Sequence, residues 1–240
     1  MTYRSIILSV LVSLALAACA PSVPGPVVVG VPAPSKSSQS SGSSARGVTP
    51  AQYRQVVAEI MPVARGICAA TPPQKRCDFQ ALLDPRRGVA ANAYQTVTSS
   101  GQPVIIVTAE LLRSLANTDE LALVVSHEAA HHIRDHLKRR QQSEVTYAVI
   151  AGLGAQAVGA SREAIVEAQR QAAYVGGRLY SPDYELEADR LGAQIAKQAG
   201  YNPINGVRYF TRAPDPGDRF LATHPPNKSR IQAVTQAVGG

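Results

Sequence analysis

The spacing of apolar and polar residues first becomes regular at Thr49, where it predicts a helix. Thr49 can cap the helix start, and Pro50 suits the first helical position. Apolar residues then recur at spacings of three and four, as on one face of an amphipathic helix: Tyr53, Val56, Val57, Ile60 and Val63. We therefore expect the folded part of the chain to begin near Thr49.

Two short runs of β-branched and aromatic residues follow, Asn92–Thr98 and Pro103–Thr108. The residues between them include Gly101 and are typical of a tight turn, so the two runs predict a β-hairpin. A capping cluster that begins at Asn117 then predicts a longer helix ending near Arg140. The three cations at its end would complement the helix dipole.

The C-terminal part of the chain is predicted to be helical as well. Val145–Ala160 is rich in Ala, Gly and Val, which favours a close-packed helix or hairpin of the core. Insertion of this segment into a membrane is the alternative, although the segment is short and contains Gln156. Ser181–Ala199 predicts another helix, and a short helix from Ser229 to Val238 closes the chain.

The first residues of the chain have the pattern of an export signal. The apolar run Ile6–Ala18 is shorter than the roughly 20 residues that span a bilayer. It ends in Leu16-Ala17-Ala18-Cys19, which resembles the signal of a bacterial lipoprotein, so we expect residues 1–18 to be removed and Cys19 to be acylated. An ordinary signal peptide, in which this cysteine is incidental, is the alternative.

A tether is predicted to follow the lipidated cysteine. Residues 19–48 are rich in Pro, Gly, Ser and Val and have no helix or strand period, and residues 49–240 would form the folded domain. Gram-negative lipoproteins kept at the inner membrane usually have an aspartate after the cysteine, whereas this chain has Ala20. The resemblance therefore favours an anchor in the outer membrane, with the domain facing the periplasm.

The composition excludes several classes of protein. Of 240 residues, 45% are apolar, which argues against wholesale disorder. The formal net charge is +7, and no basic run interleaved with aromatic residues accompanies it, so no nucleic-acid partner is expected. Cys68 and Cys77 either form a disulfide, which an oxidising compartment favours, or are two buried free thiols.

The strongest chemical signal is His127-Glu128-Ala129-Ala130-His131, within the predicted long helix. Residues four apart on a helix lie about 40° apart around its axis, so both imidazoles face the same way and can hold one Zn²⁺. Glu128 lies beside them and can accept a proton from the water molecule that attacks a substrate. The motif therefore predicts zinc-dependent hydrolysis.

A catalytic zinc takes three protein ligands, so the third must come from elsewhere in the chain. Glu185 and Asp189 are four apart on the predicted helix Ser181–Ala199, whereas Glu187 points about 200° away from Glu185. Glu185 can then bind the metal while Asp189 accepts a hydrogen bond from a ligand imidazole. A different helix register would select Glu187 instead, and without the upstream histidines these acids would indicate only an exposed helix face.

The three remaining histidines have weaker signals. His132 and His136 are four apart but lack an accompanying acid, and His136 would lie about 180° around the helix from His127. This pair is therefore expected to face another surface, although His132 could still support a ligand. His224 lies in a loop stiffened by two prolines, where it is either an ordinary loop residue or a hydrogen-bond donor to the oxyanion of a tetrahedral intermediate.

These motifs together resemble the HtpX-type zinc metallopeptidases, a gluzincin family that includes prenyl-protein proteases. The resemblance runs from about Thr49 to the end of the chain. Besides the zinc motif, it is carried by Asn92-Ala93, Thr118–Ala122, Ser181–Gly192, Ala199–Pro203 and Thr223–Pro225. The chain departs from the usual family pattern at Tyr94–Gly101, so the strand edge that binds substrate is expected to differ in shape.

The resemblance implies a fold and a set of roles. The fold is a zincin-like α+β domain, mainly helical, with a short antiparallel sheet or hairpin packed beside the active-site helix. The resemblance implies that His127, His131 and Glu185 are zinc ligands and that Glu128 is the catalytic acid and base. It also implies that Asp189 is the hydrogen-bond partner of a ligand. His224 would lie near the metal, where relatives use it for catalysis or regulation. The anchor, tether and compact domain look most like the small periplasmic lipoprotein members.

The expected function is therefore a zinc-dependent endopeptidase that cleaves misfolded or unassembled envelope proteins. An extended polypeptide would add as a strand to the edge formed by Pro103–Thr108. The outer-membrane assembly machinery is a further expected partner. Two alternatives remain, a zinc-bearing chaperone or binding protein that assists assembly without hydrolysis, and a structural metal site closed by His224 as fourth ligand.

Overall fold

The computed structural model describes residues 47–179, 181–215 and 224–239, so the predictions for residues 1–18, Cys19 and most of the tether lie outside the described residues. The described residues form a mainly helical α+β domain with a small sheet, which confirms the predicted fold class. The helices are α1 (Pro50–Ala70), α2 (Ala109–Ser114), α3 (Thr118–Ile133), α4 (His136–Ala157), α5 (Arg162–Leu179), α6 (Ser181–Gln198), α7 (Pro203–Gly206) and α8 (Asn227–Val238), and a 3₁₀ turn covers Val207–Thr211. The strands are β1 (Gln80–Asp84), β2 (Ala93–Val97) and β3 (Pro103–Thr108).

Helix α1 begins at the residues that predicted its start. The Thr49 hydroxyl accepts a hydrogen bond from the Gln52 N–H at 3.2 Å, and the Gln52 side-chain oxygen accepts one from the Thr49 N–H at 2.9 Å. This reciprocal pair satisfies two donors that a helix start would otherwise leave unpaired. Val56 and Ile60 on the predicted apolar face are fully buried, and burial of each such side chain contributes about 1.5–3 kcal/mol.

A disulfide links the end of α1 to the segment that precedes β1. It joins Cys68 to Cys77, the pair that the sequence analysis singled out. Close by, the Arg65 guanidinium donates a hydrogen bond to the Phe79 carbonyl at 2.7 Å. The disulfide and this hydrogen bond hold the segment before β1 against α1.

The sheet contains the predicted hairpin and one strand that was not predicted. β2 and β3 pair antiparallel, with Ala93 opposite Val107, as expected. β1 pairs parallel to β3 on its other side, so the strand order is β1-β3-β2. The expectation that substrate adds to the edge of Pro103–Thr108 is therefore wrong, because both edges of β3 are already paired and β2 is the outer strand of the hairpin.

The predicted long helix is in fact two helices. α3 ends at Ile133, and Asp135 adopts the left-handed conformation with φ 55°, which turns the chain before α4 begins at His136. The Lys75 ammonium holds this turn, because it pairs with the Asp135 carboxylate and donates to the Ile133 carbonyl at 2.7 Å. The cations at 138–140 consequently lie in the first turns of α4, so their predicted role at a helix C-terminus is wrong.

Helices α4 and α5 form an antiparallel pair that exposes apolar residues. They approach closely through small residues, since a Cβ on Gly176 would lie 2.8 Å from the Ser143 carbonyl oxygen. The predicted place of Val145–Ala160 in the core is nevertheless wrong, because Ile150 and Leu153 are 64% and 63% exposed. One face of α4 packs closely against α5, and the apolar residues on its opposite face are exposed to solvent. No helix among the described residues combines the length and apolar character needed to cross a bilayer.

Candidate metal centre

The first half of the centre is built on α3. The Asn117 side chain caps this helix by accepting a hydrogen bond from the Glu120 N–H at 3.0 Å. One helical turn separates His127 from His131, so both rings project from the same face, and their Nε2 atoms lie 2.9 Å apart. The spacing in the sequence is thus sufficient to bring the two imidazoles together.

Helix α6 supplies the second half because it crosses α3 at a glycine. A Cβ on Gly192 would lie 2.9 Å from both the Cα and the backbone nitrogen of His127, so any larger residue would hold the two helices apart. The close approach brings the Glu185 carboxylate to the rings, with Oε2 3.4 Å from His127 Nε2 and Oε1 3.3 Å from His131 Nε2. The structure thus brings together the three side chains that the sequence analysis selected as ligands.

The donor set fits a zinc ion. Two imidazole nitrogens and one carboxylate oxygen lie within 4.8 Å of one another, which is the His₂Glu combination of catalytic zinc sites. Ligand atoms of a tetrahedral zinc, each about 2.0–2.1 Å from the metal, lie about 3.3 Å apart. The three observed separations, 2.9, 3.3 and 3.4 Å, surround that value.

The electrostatics of the centre also favour a cation. Burial and the nearby Arg230 guanidinium lower the pKa of His127, but the carboxylates of Asp189 and Glu185 outweigh them and raise it to about 10. Burial opposes ionisation of Glu185, yet hydrogen bonds with His127, His131 and His224 hold the pKa of that carboxyl well below its usual range. Arg230 and His127 likewise lower the pKa of Asp189 despite its burial, so both acids are ionised and stabilise a positive charge at the rings.

Behind His127 lies a buried ion pair between Asp189 and Arg230. Asp189 Oδ1 is 2.9 Å from His127 Nδ1, which leaves Nε2 of that ring for the metal. The Arg230 guanidinium donates two hydrogen bonds to the same carboxylate, at 2.7 and 2.8 Å, and stacks on the Phe210 ring at 4.1 Å. Asp189 therefore lies beside the His127 imidazole, as the sequence predicts.

Arg230 belongs to no motif that predicts the centre, although its position on α8 carries a signal. On α8 it lies three and four residues before Ala233 and Val234, which are both buried. An arginine within the apolar face of a short helix requires a carboxylate partner, because an unpaired buried charge is costly. That pattern indicates a buried ion pair, but it does not reveal which acid completes it.

The second histidine pair separates in the structure. His132 Nε2 lies 2.6 Å from the Arg76 carbonyl oxygen, away from the ligand atoms. His136 instead points towards the centre, with its Nδ1 2.8 Å from Nδ1 of His131. The expectation that His136 faces another surface is wrong, because the turn at Asp135 breaks the helical period on which it depended.

His136 is neutral and is linked to a further acid. Burial and the neighbouring His131 lower its pKa to about 4, despite the opposing effect of Glu187. Its Nε2 lies 3.1 Å from Glu187 Oε2. Glu187 was expected on the opposite side of α6 from Glu185. It is nevertheless linked to the centre, through His136.

Two cavities flank the centre and share several wall residues. One, of about 550 Å³, lies between β2 and the helices α4 to α6, and the other, of about 390 Å³, lies towards α8 and the 3₁₀ turn. His127, Glu128 and His224 line both. His224 is half exposed, and its Nδ1 lies 2.8 Å from Glu185 Oε2.

Comparison with known proteins agrees with this geometry. The family model for Peptidase family M48 matches residues 50–238. The beta-barrel assembly-enhancing proteases of Escherichia coli (strain K12) and Yersinia pestis are 27% and 26% identical over 146 residues, which cover 53% of this chain and 29% of each relative. A putative beta-barrel assembly-enhancing protease of Vibrio cholerae is 32% identical over 125 residues, which cover 47% of this chain and 26% of the relative.

The chain spans less than a third of the length of these curated relatives. The family model, however, covers most of the chain, including every residue of the centre described above, and it confirms the kind of family that the motifs predicted. The chain belongs to peptidase family M48, a family of metal-dependent peptidases.

Proposed function

We propose that this protein is a zinc-dependent endopeptidase that cleaves misfolded or unassembled proteins of the bacterial cell envelope. The observation that carries the proposal is the convergence of His127, His131 and Glu185, with Glu128 beside them in the wall of both cavities. The donor set suits zinc more than the other common divalent ions, since imidazole is a poor ligand for Mg²⁺ and Ca²⁺.

The residues of the chain have distinct tasks in this proposal. Zinc, when bound by His127, His131 and Glu185, supplies Lewis acidity that polarises the scissile carbonyl. The Glu128 carboxylate accepts a proton from the attacking water and delivers it to the leaving nitrogen. His224 lies in the wall of both cavities, which supports a hydrogen bond from its imidazole to the oxyanion.

The substrate in this proposal is an extended polypeptide that pairs with β2. The paired edge of Ala93–Val97 faces β3, and its other edge has no strand partner among the described residues. Residues 92–95 line the larger cavity together with Glu128. Addition of a strand satisfies backbone donors and acceptors of any sequence, so this mode suits unfolded chains more than one fixed motif.

The envelope context of the proposal depends on the N-terminus and on the relatives. Removal of residues 1–18 and acylation of Cys19 would anchor the protein to the outer membrane, and residues 19–48 would let a catalytic domain of residues 49–240 reach substrates in the periplasm. The matched relatives are named for enhancing β-barrel assembly. Unassembled outer-membrane proteins are therefore the proposed substrates, and the assembly machinery is the proposed partner.

Substitution of Glu128 tests the proposal. We expect Glu128→Gln in the full-length lipoprotein to reduce cleavage of a denatured outer-membrane β-barrel protein by at least about 100-fold, because the proton acceptor is lost, while bound zinc measured by elemental analysis is unchanged. The matched control is Glu163→Gln on the exposed start of α5, which should cleave at the wild-type rate.

The outcomes separate the competing functions. Cleavage by Glu128→Gln at the wild-type rate would show that Glu128 is not the catalytic base. If neither the wild-type protein nor the variant cleaves, but both prevent aggregation of the denatured substrate, the protein is a zinc-bearing chaperone and the peptidase proposal fails.

A further inference from the structure

The side chain of His131 begins a chain of hydrogen bonds that leads away from the metal centre. Its Nε2 faces the other ligand atoms, whereas its Nδ1 lies 2.8 Å from Nδ1 of His136. Nε2 of His136 lies 3.1 Å from Glu187 Oε2. The chain therefore links one ligand imidazole to a carboxylate through a second imidazole.

Only one arrangement of hydrogens satisfies every contact when His131 binds a metal. The lone pair of its Nε2 is then used by the metal, so its hydrogen lies on Nδ1 and is donated to Nδ1 of His136. His136 consequently carries its own hydrogen on Nε2 and donates it to Glu187. Each ring nitrogen has one partner, and the terminal acceptor is an anion.

The surroundings of His136 hold its ring in this orientation. The ring is almost fully buried, with 4% exposure, and it stacks on Tyr184 with 4.7 Å between centroids. Arg139 and Arg134 both pair with Glu187, at 3.0 and 3.3 Å, which keeps the terminal carboxylate in place and ionised. These groups come from α4, from α6 and from the turn between α3 and α4.

The two ligand histidines are thus supported in parallel ways. His127 donates from Nδ1 directly to Asp189, and His131 reaches Glu187 through His136. An unbroken helix would place a residue five positions after His131 about 140° around the axis from it. The left-handed turn at Asp135 is what returns the His136 ring to the centre.

We propose that His136 is a positioning residue for zinc, which fixes the tautomer and orientation of His131 with Glu187 behind it. This inference rests on the proposed function, because it requires zinc at the centre. Loss of such a supporting partner typically weakens metal affinity by about 10- to 100-fold.

Two substitutions of His136 separate hydrogen bonding from packing. His136→Phe keeps an aromatic ring against Tyr184 but cannot accept a hydrogen bond from His131, whereas His136→Gln loses the ring but retains both an acceptor and a donor. With the full chain and a chromophoric chelator as competitor, we expect the zinc dissociation constant to rise about 10- to 100-fold in His136→Phe and less than about 5-fold in His136→Gln. A packing role predicts the reverse order, which would overturn the proposal.

Further variants keep the test decisive if His136→Phe does not fold. Glu187→Ala removes the terminal acceptor from a partly exposed site, and we expect zinc affinity to fall about 10-fold. His132→Phe is the matched control. His132 follows His131 in the sequence, but its ring contacts the Arg76 carbonyl, so the variant should bind zinc as tightly as the wild type. Wild-type affinity in Glu187→Ala would contradict the inference.

The experiment also distinguishes this inference from the proposed function. A wild-type protein that binds no zinc would end the proposed function itself. A wild-type protein that binds zinc tightly, together with His136 and Glu187 variants that bind it equally well, would leave the peptidase proposal intact and overturn only the role of His136.

Discussion

At the scale of single residues, the centre depends on charges that the fold buries and pairs. Asp189 and Arg230 are almost completely buried, and each holds the other in its ionised state. The pair orients the His127 ring, because the Asp189 carboxylate that Arg230 holds in place accepts a hydrogen bond from His127 Nδ1. A buried ion pair contributes little net stability, but removal of one partner leaves a buried charge without compensation.

Arg230→Met tests this pairing. We expect the free energy of unfolding of the metal-free protein to fall by about 3–5 kcal/mol, because buried Asp189 loses both guanidinium hydrogen bonds and keeps only the His127 ring as a partner. Urea denaturation followed by circular dichroism measures the change. Arg54→Met, on the exposed side of α1, is the control and should stay within about 0.5 kcal/mol of the wild type. A loss below about 1 kcal/mol in Arg230→Met would show that Asp189 has adequate compensation elsewhere.

At the scale of elements, the site exists because α3 and α6 cross without a side chain between them. Local spacing places His127 and His131 on one face of α3, and Glu185 and Asp189 on one face of α6. Those two faces meet at Gly192, where no Cβ separates the backbones. The position of one glycine thus determines whether two correctly patterned helices form one centre.

Gly192→Ala tests the crossing. The added Cβ would lie 2.9 Å from His127 backbone atoms, which cannot move independently, so we expect the helices to separate and the stability to fall by about 1–3 kcal/mol. Zinc affinity should fall as well, because Glu185 moves away from the rings. Both quantities are measured by denaturation and chelator competition.

The matched control is Gly154→Ala on α4, where a Cβ would have no atom within 4 Å. This variant should be as stable as the wild type or more stable by about 0.5–1 kcal/mol, since alanine favours a helix over glycine. Equal behaviour of the two alanine variants would indicate that the crossing tolerates a methyl group.

At the scale of the whole molecule, the metal joins segments that are distant in sequence. α3 and α6 carry the proposed ligands, and α8 contributes Arg230 behind them. An ion held by α3 and α6 only in the folded protein shifts the unfolding equilibrium towards the native state. Stability should therefore depend on the concentration of free zinc.

Removal of zinc tests this linkage. At a free zinc concentration 100 times the dissociation constant, we expect about 2.7 kcal/mol of added stability relative to the protein treated with a chelator. Thermal unfolding in zinc-buffered solutions measures the shift, and Mg²⁺ at the same concentration is the control because it prefers oxygen ligands. An unfolding temperature that does not respond to zinc would contradict zinc binding by the folded protein.

The sequence alone determined the features that depend on neighbours along the chain. The start of α1 follows from Thr49 and Pro50, the hairpin from two β-branched runs around Gly101, and the shared face of His127 and His131 from the period of a helix. Such features need only a few adjacent residues, so their chemistry is visible before the chain folds.

The tertiary structure alone decided which of these features meet. It paired β1 with β3, a parallel pairing that no turn encodes, and brought Arg230 to Asp189 across 41 positions of sequence. It also broke the predicted helix at Asp135, where Lys75 stabilises a left-handed residue that local propensity disfavours, and so returned His136 to the centre. These outcomes depend on contacts between distant segments, whose free energies are set by packing and charge pairing rather than by the period of any one segment.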